Sequence, residues 1–194
     1  MYEYIQGKLS GLSPANAVIE AGSIGYFIHI SLNTYSLING KEQARLFLHQ
    51  VVREDAHLLY GFAEAAEREL FRLLISVNGI GSNTALMMLS SLTAEEIRRA
   101  ILEENVNLLK SIKGIGAKTA QRVIIDLKDK IGKTAASDQI LNSPADNTIR
   151  DEALSALVML GFAKKNIEKE LDKLLKANPD LTVEETIKKA LKGL

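Results

Sequence analysis

Two short glycine-containing segments could bind phosphate, and they form an internal repeat. Residues Leu73–Ala85 align with Leu108–Ala120 at an offset of 35 residues, and eight of the thirteen aligned positions are identical. Each segment contains Gly-Ile-Gly, beginning at Gly79 and at Gly114, between two stretches whose apolar residues have helical spacing. This repeat is the strongest chemical signal in the sequence.

The chemistry of a Gly-Ile-Gly turn between helices follows from what each residue permits. The first glycine allows a positive φ where the incoming helix ends, and the isoleucine fills the core between the two helices. The second glycine has no Cβ, so main-chain N–H groups can approach a large anion. The outgoing helix directs its free N–H groups and positive dipole end at the same anion. Such a turn would bind the DNA backbone without reading bases.

The residues expected to contact DNA are those of the two turns and of the helix starts that follow them. They are Gly79, Gly81, Ser82, Asn83 and Thr84 in the first copy, and Gly114, Gly116, Ala117, Lys118, Thr119 and Arg122 in the second. Three basic residues, Lys113, Lys118 and Arg122, surround the second turn. The aligned positions of the first turn hold Asn78, Asn83 and Met87. The second hairpin should therefore supply more of the salt-dependent attraction. The alternative is two ordinary helical hairpins whose glycines serve only tight turns.

Composition limits the other chemistries. The chain has no cysteine, which excludes disulfides, Cys-ligated zinc, iron–sulfur clusters and a thiol nucleophile. Basic and acidic side chains both number 24, so a nucleic-acid surface must be a local patch. No apolar run reaches the roughly 20 residues of a membrane span, and the start lacks a signal-peptide core. We expect a soluble, cytoplasmic protein without metal or cofactor.

The first part of the chain favours strands. Eight of the ten Phe and Tyr residues lie within residues 1–62, among short β-favouring runs punctuated by glycine. This pattern predicts a small β-barrel of about five strands over residues 1–63, with a short helix near Ser31–Leu37. His29 and His49 fall in predicted strands, where we expect structural residues with satisfied hydrogen bonds.

The remainder of the chain favours helices, which makes the fold class α+β. Residues 64–133 have helical spacing, and Thr93–Glu96 form a capping box that starts a helix. Residues 134–148 lack Lys and Arg and contain Pro144, which predicts a flexible linker.

Residues 149–194 predict three short helices. Gly161 ends the first, Asn178–Pro179 ends the second, and Thr182–Glu185 cap the third.

Three further motifs give the sequence a family resemblance. The segments Met1–Leu9, Val52–Phe62 and Ala156–Phe162, together with the two hairpins, resemble the RuvA family of Holliday junction-binding proteins over the whole chain. The resemblance implies an OB-fold barrel, two helix-hairpin-helix motifs, a linker and a mobile three-helix, UBA-like domain. It implies a homotetramer, single or double, on a four-way DNA junction. Its implied partners are a RuvB-type hexameric ATPase, for branch migration in recombination and repair, and a RuvC-type resolvase.

The resemblance also assigns roles to residues outside the hairpins. It implies that Glu54 and Asp55 form an acidic pin, whose carboxylates would repel phosphates where the strands of a junction cross. On the residues alone, a charged turn between strands is the simpler interpretation. An apolar patch for the ATPase is implied in the C-terminal domain, although leucines there could equally be core. Its residues are Leu157, Leu160, Phe162 and Leu191.

We expect no catalytic residues in this chain, and any ATPase activity should reside in the partner. Gly132-Lys133-Thr134 ends like a phosphate loop, but Leu127 occupies the place of the required earlier glycine. One alternative is a base-excision glycosylase or lyase, with Asp138 following Lys118 at the distance of a catalytic aspartate. Another is a single-strand-binding OB protein whose aromatic side chains stack on bases.

Overall fold

The computed structural model describes residues 2–141, 148–178 and 181–193, and the chain divides into two compact units. Met1–Ser137 hold a barrel and the two hairpins, and Asp138–Leu194 hold three helices. Within the described ranges, no helix is both long enough and apolar enough to cross a membrane.

Five strands form a closed barrel. They are β1 (Tyr4–Ser13), β2 (Asn16–Ala21), β3 (Ile24–Ile30), β4 (Gln43–Val52) and β5 (His57–Phe62). Their order is β1-β2-β3-β5-β4, with β1 pairing to β4 to close the barrel and β3 running parallel to β5. This is the OB-fold arrangement. Helix α1 (Leu32–Ile38) joins β3 to β4, so the predicted barrel and short helix are confirmed.

The helices that follow carry the repeat. They are α2 (Ala65–Ile75), α3 (Ser82–Ser91), α4 (Ala94–Leu102), α5 (Val106–Lys110) and α6 (Ala117–Leu141). The capping box is confirmed, because the Thr93 hydroxyl accepts from the Glu96 N–H and the Glu96 carboxylate accepts from the Thr93 N–H.

The predicted linker needs a correction at its start. Helix α6 continues through residues 134–141, where neither glycine nor proline interrupts and alanine, glutamine and leucine favour the helix. Residues 142–147 of the predicted linker lie outside the described residues.

A buried hydrogen-bonded cluster joins the barrel to α2. Glu67 is 4% exposed, and its carboxylate accepts from the hydroxyls of Ser31 and Thr34, the latter at 2.7 Å. The Thr34 hydroxyl in turn accepts from the Ala63 N–H at 2.9 Å. Burial raises the pKa of Glu67, and the two hydroxyl donors oppose that rise. The cluster therefore fixes the start of α2 against α1.

The prediction for His49 is wrong in one respect. Its Nδ1 is buried and has no hydrogen-bond partner in the part of the chain that the structure describes. The ring packs against Phe71 with centroids 5.4 Å apart. Burial, followed by the nearby Arg72 and Arg68 cations, lowers the pKa of His49, which favours the neutral imidazole.

The C-terminal unit is a bundle of three helices, as predicted. They are α7 (Thr148–Met159), α8 (Lys164–Ala177) and α9 (Val183–Gly193). Gly161 has φ +95° just past α7, and Asn178 caps the end of α8. Thr182 and Glu185 exchange the reciprocal hydrogen bonds of a capping box before α9. The bundle core consists of Ala153, Leu157, Ile167, Leu171 and Ala190.

Candidate nucleic-acid interface

The two Gly-Ile-Gly turns have the same local geometry. Gly79 has φ +95° and Gly114 has φ +89°, so the predicted left-handed residue is present in each turn. Ile80 and Ile115 are each 5% exposed and belong to the core between the helices. In each turn the isoleucine N–H donates to a carbonyl three residues earlier, at 3.0 Å. The repeat in the sequence is therefore a repeat in structure.

Each outgoing helix begins with main-chain N–H groups that have no acceptor. Gly81 is the N-cap of α3 and provides no side-chain cap, and the first helical bond runs from Ala85 N to Gly81 O at 2.9 Å. The second copy matches, with Ala120 N donating to Gly116 O at 2.9 Å. Six N–H groups are left without an acceptor among the described residues. They belong to Ser82, Asn83, Thr84, Ala117, Lys118 and Thr119.

The second glycine of each turn is not required by the fold. A Cβ built on Gly81 or Gly116 would meet no atom within 4 Å. Gly81 has φ −87° and ψ 170°, a conformation that any residue adopts. Absence of a side chain at these positions therefore leaves open main-chain surface, which is what a phosphate group needs to reach the N–H groups.

Positive charge is concentrated at the second turn, as the sequence predicts. Lys113 and Lys118 are exposed, and neither has an ion pair or hydrogen bond among the described residues. A surface depression of about 330 Å³ lies beside the turn. It is lined by Lys118, Gln121, Arg122, Ile125 and Asp126, of which only Lys118 and Arg122 were predicted from the sequence.

Arg122 has a role that the sequence does not reveal. Its Nη1 donates to the main-chain carbonyl of Asn78 at 3.2 Å, which links the second hairpin to the turn of the first. The two residues are 44 positions apart, so no local pattern could have predicted the contact. Arg122 therefore helps to hold the two turns together, besides the phosphate contact expected of it.

The residues that begin α3 differ in exposure. Ser82 is 7% exposed, so only its main-chain N–H, and not its side chain, can make the expected DNA contact. Asn83 is exposed, and its Oδ1 accepts from the hydroxyl of Tyr60 on β5 at 3.1 Å. Sequence reasoning counted Tyr60 only among the aromatic residues of the predicted barrel region and within the Val52–Phe62 motif. Thr84 and Thr119 are half-buried at equivalent positions.

The acidic pair lies at the tip of a strand hairpin. Glu54 and Asp55 are exposed between β4 and β5, in a turn closed by a bond from Arg53 N to Ala56 O at 2.8 Å. Neither carboxylate has an ion pair or hydrogen bond within the described ranges. The pair therefore presents unneutralised negative charge to solvent.

The apolar patch expected on the C-terminal unit is present only in part. Leu157 is fully buried in the bundle core, so its assignment to an exposed patch is wrong; it packs with Ile167 and Leu171 instead. Leu160, Phe162 and Leu191 are 60%, 36% and 41% exposed. Two exposed residues were missed, Val158 at 44% and Met159 at 85%.

Comparison with known proteins covers all three parts of the chain. A family model described as RuvA N terminal domain matches residues 1–61, and one described as SAM-like helix-hairpin-helix tandem matches residues 71–129. A third, described as RuvA, C-terminal domain, matches residues 148–194.

Similar full-length proteins share one name. Proteins from Bacteroides thetaiotaomicron and Christiangramia forsetii are each 52% identical to this chain, over 100% of both chains. A protein from Flavobacterium psychrophilum is 51% identical over the same share. All three are named Holliday junction branch migration complex subunit RuvA.

Proposed function

This chain belongs to the RuvA family, and on that premise we propose that it binds four-way DNA junctions by their backbone geometry. It would hold the junction open and square as the DNA-binding subunit of a branch migration complex, in recombination and repair in the cytoplasm. The observation that carries this proposal is the pair of matching turns, whose six N–H groups have no acceptor among the described residues. Each turn could hold a phosphate, and contacts to phosphate carry no base sequence information.

The proposal also includes the oligomer that this chain forms and the proteins that act with it. We propose a homotetramer, single or double, in which copies of the two hairpins grip the arms of the junction. A RuvB-type hexameric ATPase would supply ATP hydrolysis and dock on the exposed apolar side chains of the C-terminal unit, which among the described residues include Val158, Met159, Leu160, Phe162 and Leu191. A RuvC-type resolvase would act on the same junction.

The direct test of the function is a gel shift at two salt concentrations. The probes are a four-way junction and a linear duplex of the same sequence. Preference for the junction at both concentrations supports the proposal, because nonspecific electrostatic attraction to phosphates would not distinguish branched from linear DNA. Equal affinity for the two probes would contradict it.

Lys118→Ala is expected to weaken junction binding more than Asn83→Ala does. Lys118 is a cation at the second turn with no ion pair among the described residues, whereas Asn83 is an uncharged amide at the equivalent place in the first. Loss of the lysine should also reduce the slope of log affinity against log salt by about one, since one phosphate contact is lost. Affinities measured from low to moderate salt give both values. Equal slopes for the two variants would contradict this ranking.

Glu54→Gln/Asp55→Asn is expected to tighten junction binding and to alter branch migration. The pair carries unneutralised charge at the tip of the β4–β5 hairpin, and its removal takes away repulsion of phosphates. The measurements are junction affinity, and migration rate with the ATPase at several magnesium and salt concentrations. Migration identical to wild type under all conditions would remove the acidic pair from the mechanism.

A further inference from the structure

Tyr60 lies on strand β5 but packs in the core of the hairpin helices, next to the first DNA-binding turn. The side chain is 1% exposed on β5, and its ring lies between His29 and Phe71, with centroid separations of 5.4 Å and 5.2 Å. These contacts fix the ring, so its hydroxyl is held at one place. That hydroxyl donates to Oδ1 of Asn83 at 3.1 Å.

Asn83 is an uncharged residue at the start of the first outgoing helix. It is the second residue of α3, next to the unpaired N–H groups, and Lys118 is its counterpart at the second turn. An asparagine amide has an acceptor end and a donor end of similar shape. Only the NH2 end attracts a phosphate, so an amide that flips freely would present its repulsive carbonyl part of the time.

The bond from Tyr60 selects the orientation. The phenol O–H is buried, and Asn83 is its only hydrogen-bond partner among the described residues. If the amide flipped, its NH2 group would face the phenol oxygen, and the buried O–H would lose its acceptor, which is costly. With Oδ1 engaged, the NH2 group has no acceptor in the described chain and is available to a ligand.

Resting on the proposed function, we propose that Tyr60 is a positioning residue for junction binding. It holds the Asn83 amide with its NH2 group available to a DNA phosphate, so that the first hairpin works without a cation. This contact releases no counterion, because the amide is neutral. The first hairpin therefore contributes geometry, and the second contributes the salt-dependent attraction.

The test is Tyr60→Phe in the full-length protein, measured by fluorescence anisotropy with a four-way junction. The ring and its packing are kept, and only the hydroxyl is lost. We expect affinity to fall about five- to tenfold with an unchanged salt slope. Asn83→Ala should give a similar loss, and the double variant should be no weaker than Asn83→Ala alone. Tyr26→Phe is the matched control, a half-buried barrel tyrosine whose hydroxyl bonds to none of the described residues.

Asn83→Lys separates positioning from a general structural role. A lysine attracts phosphate without help from a phenol, so Tyr60→Phe should not weaken binding in that background. If Tyr60→Phe weakened junction binding equally in the wild-type and Asn83→Lys backgrounds, Tyr60 would only support the fold. That result would overturn the proposal, whatever the melting temperature of the Tyr60→Phe variant. Wild-type affinity for Tyr60→Phe would also overturn it. Failure of the unmutated protein to prefer the junction over duplex would instead refute the proposed function, and this inference with it.

Discussion

Alanine at both Gly81 and Gly116 is expected to weaken four-way junction binding by about a hundredfold without lowering thermal stability. The added methyl groups would stand where phosphates must approach the unpaired N–H groups of α3 and α6. Charge-assisted hydrogen bonds contribute at least about 1.5 kcal/mol each. Loss of one at each turn gives about 3 kcal/mol, or roughly a hundredfold in affinity.

The folded protein should tolerate both substitutions. Neither new Cβ meets an atom within 4 Å, and Gly81 has an ordinary extended backbone. Alanine at a compatible glycine position stabilises by about 0.4–1 kcal/mol, because the unfolded chain loses freedom. Loss of binding with an unchanged or higher melting temperature would therefore identify a ligand-facing role for these glycines.

Two control variants make this result interpretable. Gly132→Ala places the same methyl in α6, also with nothing within 4 Å, and should leave junction binding unchanged. Gly79→Ala should instead lower the melting temperature, since Gly79 has φ +95°. Anisotropy and thermal melting on all variants check both expectations. Wild-type junction affinity in the double alanine variant would contradict the phosphate sites.

Local rules account for the turns and helix ends that the sequence predicted correctly. Positive φ at Gly79 and Gly114, and the capping box at Thr93, each depend on residues within a few positions of one another. Short β-favouring runs and helical spacing separate the barrel from the hairpins for the same reason, because residue propensity and periodicity reflect local geometry.

Contacts between distant segments account for what sequence reasoning missed. Tyr60 meets Asn83 across 23 positions, and Arg122 meets Asn78 across 44. No spacing rule predicts such pairs, because they depend on how the barrel and hairpins pack. The error at Leu157 has the same cause. Leu157 lies one turn before the exposed Leu160, and the rotation of its helix decides whether it faces the core or solvent. That rotation is set by packing against the other helices.

Removal of the Glu67 carboxylate is expected to cause the largest loss of stability among these variants. Glu67→Ala would leave the hydroxyls of Ser31 and Thr34 without their buried acceptor, at the cluster that fixes α2 against α1. We expect a loss of about 2–4 kcal/mol, or roughly 10 °C in melting temperature. Glu95→Ala is the control, since Glu95 is exposed in the first turn of α4 and its removal should cost less than about 0.5 kcal/mol.

The pH dependence of that loss distinguishes a buried carboxyl group from simple packing. Burial raises the pKa of Glu67 above its ordinary value of 4.5, so the folded protein binds this proton more tightly than the unfolded chain does. The contribution of Glu67 to stability is therefore complete below that ordinary value and declines as pH rises through the folded pKa. Urea denaturation should show a larger cost for Glu67→Ala at about pH 5 than at about pH 8. If the stability lost on Glu67→Ala instead grew with pH, the folded state would favour the ionised carboxylate. The hydroxyl donors would then lower the pKa of Glu67 by more than burial raises it.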